Sequence, residues 1–359
     1  MQQTYFLGGA SPEGFETDFW NEQRACYGIM LKGGPGTGKS TLMKRIAEAF
    51  PDEAVSVYHC ASDPDSLDAV VLEERGVFIA DTTAPHEAGT PLPGVTGELN
   101  DLAEGTDRAA MQAVSEPVRA LYAANQAAHL QARKGFAGIA ALEEQIMLTG
   151  SQALLHDRLV RFSGRLAGRI LPKKTAARGK IQFRQRIAVT PGGRIAYLPQ
   201  GYDLILLDDP ARTAGVRLLM LLAQSAAENG QTAELTRSLT RKDRAAVMLV
   251  LPEQRLVLAV REALPQQIAA EPVSVVRLRR FYDAGLLRQQ RSVMRFCEKA
   301  AAAAEEKTAA LLLDALHIHD ELESYYIRML DTGRLDRKAE ALIRMLRKMP
   351  RKAPAEQSE

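Results

Sequence analysis

Gly33-Gly34-Pro35-Gly36-Thr37-Gly38-Lys39-Ser40-Thr41 is the stretch on which the reading of this chain turns. Its glycines free the backbone to turn so that successive N–H groups face one point, and a lysine and two hydroxyls follow at once. Tyr27 to Leu31, just before it, reads as a short apolar strand, and Lys39 to Phe50, just after it, as a helix. A glycine loop between strand and helix aims its amides and the positive end of the helix at one anion. Gly33, Gly34, Pro35, Gly36, Thr37, Gly38, Lys39, Ser40 and Thr41 are therefore expected to cradle a chain of phosphates. Lys39 would reach the β- and γ-phosphates, Ser40 would offer its hydroxyl to Mg²⁺, and Thr41 would lie near the α-phosphate.

Working outward, Ala54 to Tyr58 is a second β-branched run and Val77 to Ala80 a third strand. Between them, Asp63-Pro64-Asp65-Ser66 has the grammar of a helix start and predicts a helix to about Glu74. The order β-α-β-α-β specifies a parallel sheet with flanking helices, an α/β fold of the P-loop NTPase kind. Asp81 ends the third strand, which puts a carboxylate at the carboxyl edge of the sheet, where it can hold Mg²⁺ together with Ser40.

The catalytic set expected from this pattern is Lys39, Asp81 and His86. Many ATPases carry a glutamate directly after the strand-end aspartate to polarise water; here Thr82 stands in that place, followed by Thr83. His86, Glu87 or an acidic residue near Asp63 and Asp65 are the substitutes within reach, and turn polarity or helix capping explains each of them without catalysis. His59 and Cys60 end the second strand at the same edge, as a plain strand end or as a metal pair.

Glu87 to Thr106 is rich in Pro, Gly and Thr and reads as a long surface loop, a candidate lid or acceptor segment. Asp107 to Ile170 favours long helices, with breaks expected near Gly135 to Gly138 and at Thr149-Gly150. Residues 173–182 read as a linker.

The second half then repeats the first in worn form. YGIMLKGGP at 27–35 has a counterpart in YDLILLDDP at 202–210, Glu73 to Val77 lines up with Glu253 to Val257, and Asp63 and Pro85 meet Asp243 and Pro265 at the same offset. The expected organisation is a P-loop domain over 1–172 with a helical extension at about 107–170, a degenerate copy over 183–349 with its own C-terminal helices, and a disordered tail at 350–359. In the copy, Asp208 to Gly215 lacks a Lys-Ser pair and adds carboxylates that repel phosphate, so one site is expected. Arg212 is a candidate charge-stabilising finger toward it.

Composition sets the outer bounds. At 359 residues, two cores are expected, and a charged fraction of 25% beside 46% apolar residues is that of a globular protein. No apolar run is long enough to span a bilayer and the start of the chain lacks the order of a signal peptide, so a cytoplasmic protein without a membrane partner is expected. Three cysteines, Cys26, Cys60 and Cys297, show neither disulfide nor zinc spacing. The net charge of +2 gives no general field for nucleic acid; the arginines and lysines of 158–186 and 344–352 are local runs that read as solvated helix faces, with a phosphate lid or nucleic-acid patch as the other reading.

Three blocks, Gly33 to Thr41, Tyr58 to Asp68 and Asp81 to His86, resemble those of a poorly characterised family of bacterial ATPases built from two tandem P-loop domains, and the resemblance extends to His319 to Tyr326. It implies ATP binding and a bacterial cytoplasmic setting. In that family the second domain usually keeps an intact phosphate loop, from which Asp208 to Gly215 departs. The readings that stand are a slow Mg-dependent ATPase or nucleotide-driven switch acting on a protein partner, a small-molecule or nucleotide kinase, and a nucleic-acid-associated ATPase. Guanine preference lacks its Asn-Lys-x-Asp signature after the third strand.

Overall fold

The computed structural model describes residues 2–89, 92–172, 178–268 and 270–351. Two six-stranded mixed sheets organise them. The first contains β1 (Gln3–Phe6), β2 (Tyr27–Lys32), β3 (Val55–His59), β4 (Leu67–Leu72), β5 (Val77–Asp81) and β6 (Gly97–Asp101), in the spatial order β1-β3-β4-β5-β2-β6. Only β4 runs against its neighbours. The second contains β7 (Ile181–Phe183), β8 (Asp203–Asp208), β9 (Ala233–Arg237), β10 (Ala246–Leu251), β11 (Leu256–Val260) and β12 (Ser274–Arg277), in the order β7-β9-β10-β11-β8-β12. Here β10 is the antiparallel strand. Order and direction match strand for strand, so the chain is a duplication.

Helix α1 (Lys39–Glu48) follows β2 and buries Leu42, Met43 and Ile46 against the first sheet. Its counterpart α4 (Ala214–Glu228) follows β8 and buries Leu218, Leu219 and Leu222. The remaining long helices are α2 (Ser115–Ala153), α3 (His156–Ile170), α5 (Arg291–Arg328) and α6 (Thr332–Lys348).

Three expectations are corrected. The helix expected from Asp63 to Glu74 is the strand β4, with all six residues buried. The apolar run Ala69 to Leu72 suits a strand covered on both faces, and the Asp63 to Ser66 stretch closes as a turn, Ser66 N donating to Asp63 O at 2.9 Å, instead of capping a helix. Within the stretch expected as a surface loop at 87–106, Gly97 to Asp101 pairs in parallel with Gly28 to Lys32. Residues 90 and 91 lie outside the described residues. Finally, α2 passes unbroken through Gly135, Gly138 and Gly150, and the chain turns only at Leu154-Leu155. Two of those glycines admit close neighbours: a Cβ on Gly135 would lie 2.2 Å from Thr308 Oγ1, and one on Gly150 would lie 2.3 Å from Ala211 O.

Contacts divide the chain into two units in a way that differs from the linear division at 172–183. One unit holds residues up to Gly9, Thr17–Ala132 and those from Ala310 onward; the other holds Ala10–Glu16 and Arg133–Ala309. The later part of each half's helical extension, from Arg133 in the first and from Ala310 in the second, thus groups with the sheet of the other half. The reason is amphipathic packing: Ala339, Leu342 and Leu346 of α6 join the core of Leu42, Met43 and Ile46, while Leu159 and Ala167 of α3 join that of α4. Of the expected linker, residues 173–177 lie outside the described residues and Ile181 to Phe183 form β7. The expected disordered tail lies outside them beyond Arg351. No helix among the described residues is long and apolar enough to cross a membrane.

Candidate functional site

Residues 33–41 leave the end of β2 and turn into α1. Gly36 and Gly38 hold φ angles of +68° and +84°, a region closed to most side chains, and this is why the loop needs glycine at those places. Gly38 is the N-cap of α1 and no side chain caps it, so the first amides of the helix point into the loop without a local acceptor. Thr37, 1% exposed, braces the turn by donating to Gly34 O at 2.8 Å.

The Lys39 ammonium donates to Gly33 O at 2.8 Å and Gly34 O at 2.9 Å, and lies 3.6 Å from Asp81 Oδ2. The other Asp81 oxygen accepts from Thr83 N at 2.8 Å, which fixes the carboxylate at the end of β5. Ser40 Oγ accepts from Leu67 N at 3.0 Å, so its hydroxyl faces the start of β4. Thr82 is fully buried and its hydroxyl donates to Leu31 O at 3.1 Å. Lys39, Ser40, Asp81 and His86 therefore share one edge.

Asp68 is the residue that sequence reasoning missed there. Because β4 is antiparallel, its beginning lies where β3 and β5 end, and Asp68 meets Asp81 and His86 with ligand atoms all within 4.8 Å of one another. Asp68 is 5% exposed, its Oδ2 has no hydrogen-bond partner, and His86 Nε2 stands 3.5 Å from it. Burial pushes its carboxyl above the usual range, with His86 opposing and Asp81 adding to the rise. Burial likewise pushes the neighbouring Cys60 thiol well up. Had Leu67 to Leu72 been read as an antiparallel strand, its second residue would have been placed on this edge.

Other candidates lie elsewhere. His59 Nδ1 is engaged by Pro64 O at 2.6 Å, and burial lowers its pKa. Asp63 and Asp65 belong to the turn before β4, and Glu87 is exposed. Of the basic run, Arg158, Arg161, Arg165 and Arg169 form the exposed face of α3, and Arg186 is buried against Glu234 at 2.9 Å. Arg212 is held by Glu143 at 2.6 Å within the second unit.

In that unit the worn loop satisfies its own amides. The Asp209 carboxylate, 0% exposed, accepts from Gly215 N at 2.7 Å, from Ala211 N at 3.3 Å and from the Tyr282 hydroxyl at 2.6 Å. The Tyr282 hydroxyl in turn accepts from Ala214 N at 2.6 Å and Thr213 N at 3.2 Å. Burial raises the Asp209 pKa and the hydrogen bonds oppose it. A protein carboxylate and a tyrosine hydroxyl thus take the amides of this loop.

The first loop also meets a protein carboxylate, supplied by a distant helix: Gly36 N donates to Glu323 Oε1 of α5 at 3.0 Å. No family model, curated protein or solved structure matches the chain.

Proposed function

We propose that the chain binds Mg-ATP on residues 33–41 and acts as a slow ATPase or nucleotide-driven switch, each sheet being a variant of the P-loop NTPase architecture. One observation carries the reading: a loop with left-handed Gly36 and Gly38 opens α1 while the Lys39 ammonium lies 3.6 Å from the strand-end carboxylate of Asp81. A lysine that offsets phosphate charge, beside a carboxylate that can hold the neutralising cation, suits a triphosphate at uncapped amides.

The donors fit a divalent cation. Ser40 and Asp81 supply the expected oxygens, and Asp68, buried with an oxygen lacking a hydrogen-bond partner, gains from a cation what His86 alone provides poorly. His86, whose imidazole Mg²⁺ accepts poorly, stands beside this oxygen set against Asp68. When bound, Mg²⁺ supplies charge neutralisation at the phosphate oxygens. Lys39 binds and orients the phosphates. Thr82, tied to Leu31 O, takes no proton from water in the place where many ATPases carry a glutamate, hence slow turnover.

Titration with a fluorescent ATP analogue in Mg²⁺ tests the reading. Saturable binding lost in Lys39→Ala supports it, and equal affinity in the variant removes the site assignment. Phosphate release without an added acceptor separates an ATPase from a kinase, which would form ADP only when acceptor is supplied.

A further inference from the structure

Glu323 belongs to the last third of α5, and its carboxylate takes the Gly36 amide, one of the donors that a bound phosphate needs. The same helix closes over the rest of the loop. A Cβ on Gly34 would lie 2.5 Å from Tyr326 Cε1, and one on Gly36 would lie 2.7 Å from Glu323 O and 3.0 Å from Ile327 Cγ1. From α6, Leu335 reaches Gly38, where a Cβ would lie 2.3 Å from Leu335 Cδ2. The end of α5 and the start of α6 therefore pack against three loop glycines. A phosphate oxygen and the Glu323 carboxylate cannot both take the Gly36 amide.

The turn itself is held by contacts that can be exchanged, while Ala339, Leu342 and Leu346 keep the rest of α6 in the core. Asp107 N donates to Met329 O and Asp331 N to Gly105 O, at 2.9 Å each, and Arg334 pairs with Glu104 at 2.8 Å with both side chains at least half exposed. Exposed pairs of that kind contribute little. Asp209 in the worn copy differs in kind: it lies six residues from the amide it fills, is fully buried, and cannot leave without unfolding its own loop. Glu323 stands 287 residues from Gly36 in sequence and rides on a separate helix.

We infer that Glu323 and the α5–α6 turn form an autoinhibitory plug that the phosphates of ATP displace. The inference rests on the reading of residues 33–41 as a triphosphate site. A carboxylate competing for the same amides lowers the apparent affinity by the fraction of time the loop is free, and reciprocally ATP binding releases the turn. The signal of this nucleotide switch is then the position of the end of α5 and the first turn of α6.

The full chain in Mg²⁺, titrated with fluorescent ATP analogue, provides the test. Glu323→Ala should bind about tenfold tighter than wild type and associate faster, while Glu323→Gln, which keeps an acceptor for Gly36 N but loses the charge, should fall between them. Hydrogen exchange in the wild type should show amides of 324–336 losing protection when ATP is added. Affinity and association rate unchanged or weakened in a Glu323→Ala protein that melts as wild type, with wild-type binding intact, overturn the plug and leave the phosphate site standing. Binding absent from both proteins overturns the plug and the site together. Tighter binding in Glu323→Ala that persists when Lys39 is also changed to Ala supports release of some other surface and also overturns it.

Discussion

Lys39 stabilises its own loop even before any phosphate is considered, through hydrogen bonds to the carbonyls of Gly33 and Gly34 and the charge of Asp81. Removing it has two separable consequences. Lys39→Ala should weaken ATP binding about a hundredfold or more and lower stability by only about 1–2 kcal/mol, because hydrogen bonds at a part-exposed site have water as a substitute. Calorimetric titration and a thermal melt read the two effects independently; a large loss of stability with little change in affinity would make Lys39 a structural residue. Asp68 offers the converse experiment. Asp68→Asn keeps the shape of the side chain but removes a buried charge with an unbonded oxygen, so it should raise about tenfold the Mg²⁺ concentration needed for half-maximal nucleotide binding. An unchanged Mg²⁺ requirement would reduce the Asp68–His86 pair to a packing feature.

At the scale of elements, glycine is the residue whose sequence meaning was least transparent. In the loop 33–41 its meaning was legible, because left-handed turns between a strand and a helix leave few alternatives. In α2 the same residue suggested breaks that do not exist. Gly135 is there because Thr308 comes within a side chain's width, whereas nothing lies within 4 Å of a Cβ on Gly138. Gly135→Ala should therefore destabilise by about 1–3 kcal/mol through overpacking. By contrast Gly138→Ala should stabilise by about 0.5–1 kcal/mol, as alanine does in an open helix. Equal effects of the two in denaturant unfolding would refute the packing argument. The strand β4 was misread for a related reason: a cap-like turn and a buried apolar run look alike before a strand and before a helix, and only pairing with β3 and β5 decides between them.

For the whole molecule, duplication and wear make a quantitative statement. Because Asp209 and Tyr282 already satisfy the amides of the second loop, titration with a non-hydrolysable ATP analogue should give one nucleotide per chain, and Lys39→Ala should reduce it to none; a ratio near two would reveal a second site. The worn copy also carries a pH signature. Burial pushes Glu262 up to about 7, with Asp209 and Asp208 adding to the rise and Arg212 opposing it. The folded state thus keeps a proton that the unfolded chain releases above its ordinary value, and stability contributed by this group is lost as pH rises toward about 7. Glu262→Gln should accordingly melt above wild type at pH 8 and match it near pH 4.5; a constant difference across that range would show that Glu262 does not titrate as proposed.

The sequence by itself determined the glycine-rich loop with its lysine, the strand and helix that flank it, the duplication and the loss of the second loop's lysine. These are local patterns, and backbone freedom at glycine, apolar periodicity and side-chain chemistry act over a few residues. Tertiary structure alone decided that Asp68 joins Asp81, that the later part of each helical extension groups with the other half's sheet, and that Glu323 meets Gly36. Each of those depends on which apolar faces bury one another, and many partners separated by hundreds of residues offer similar hydrophobic gain until the whole core is assembled.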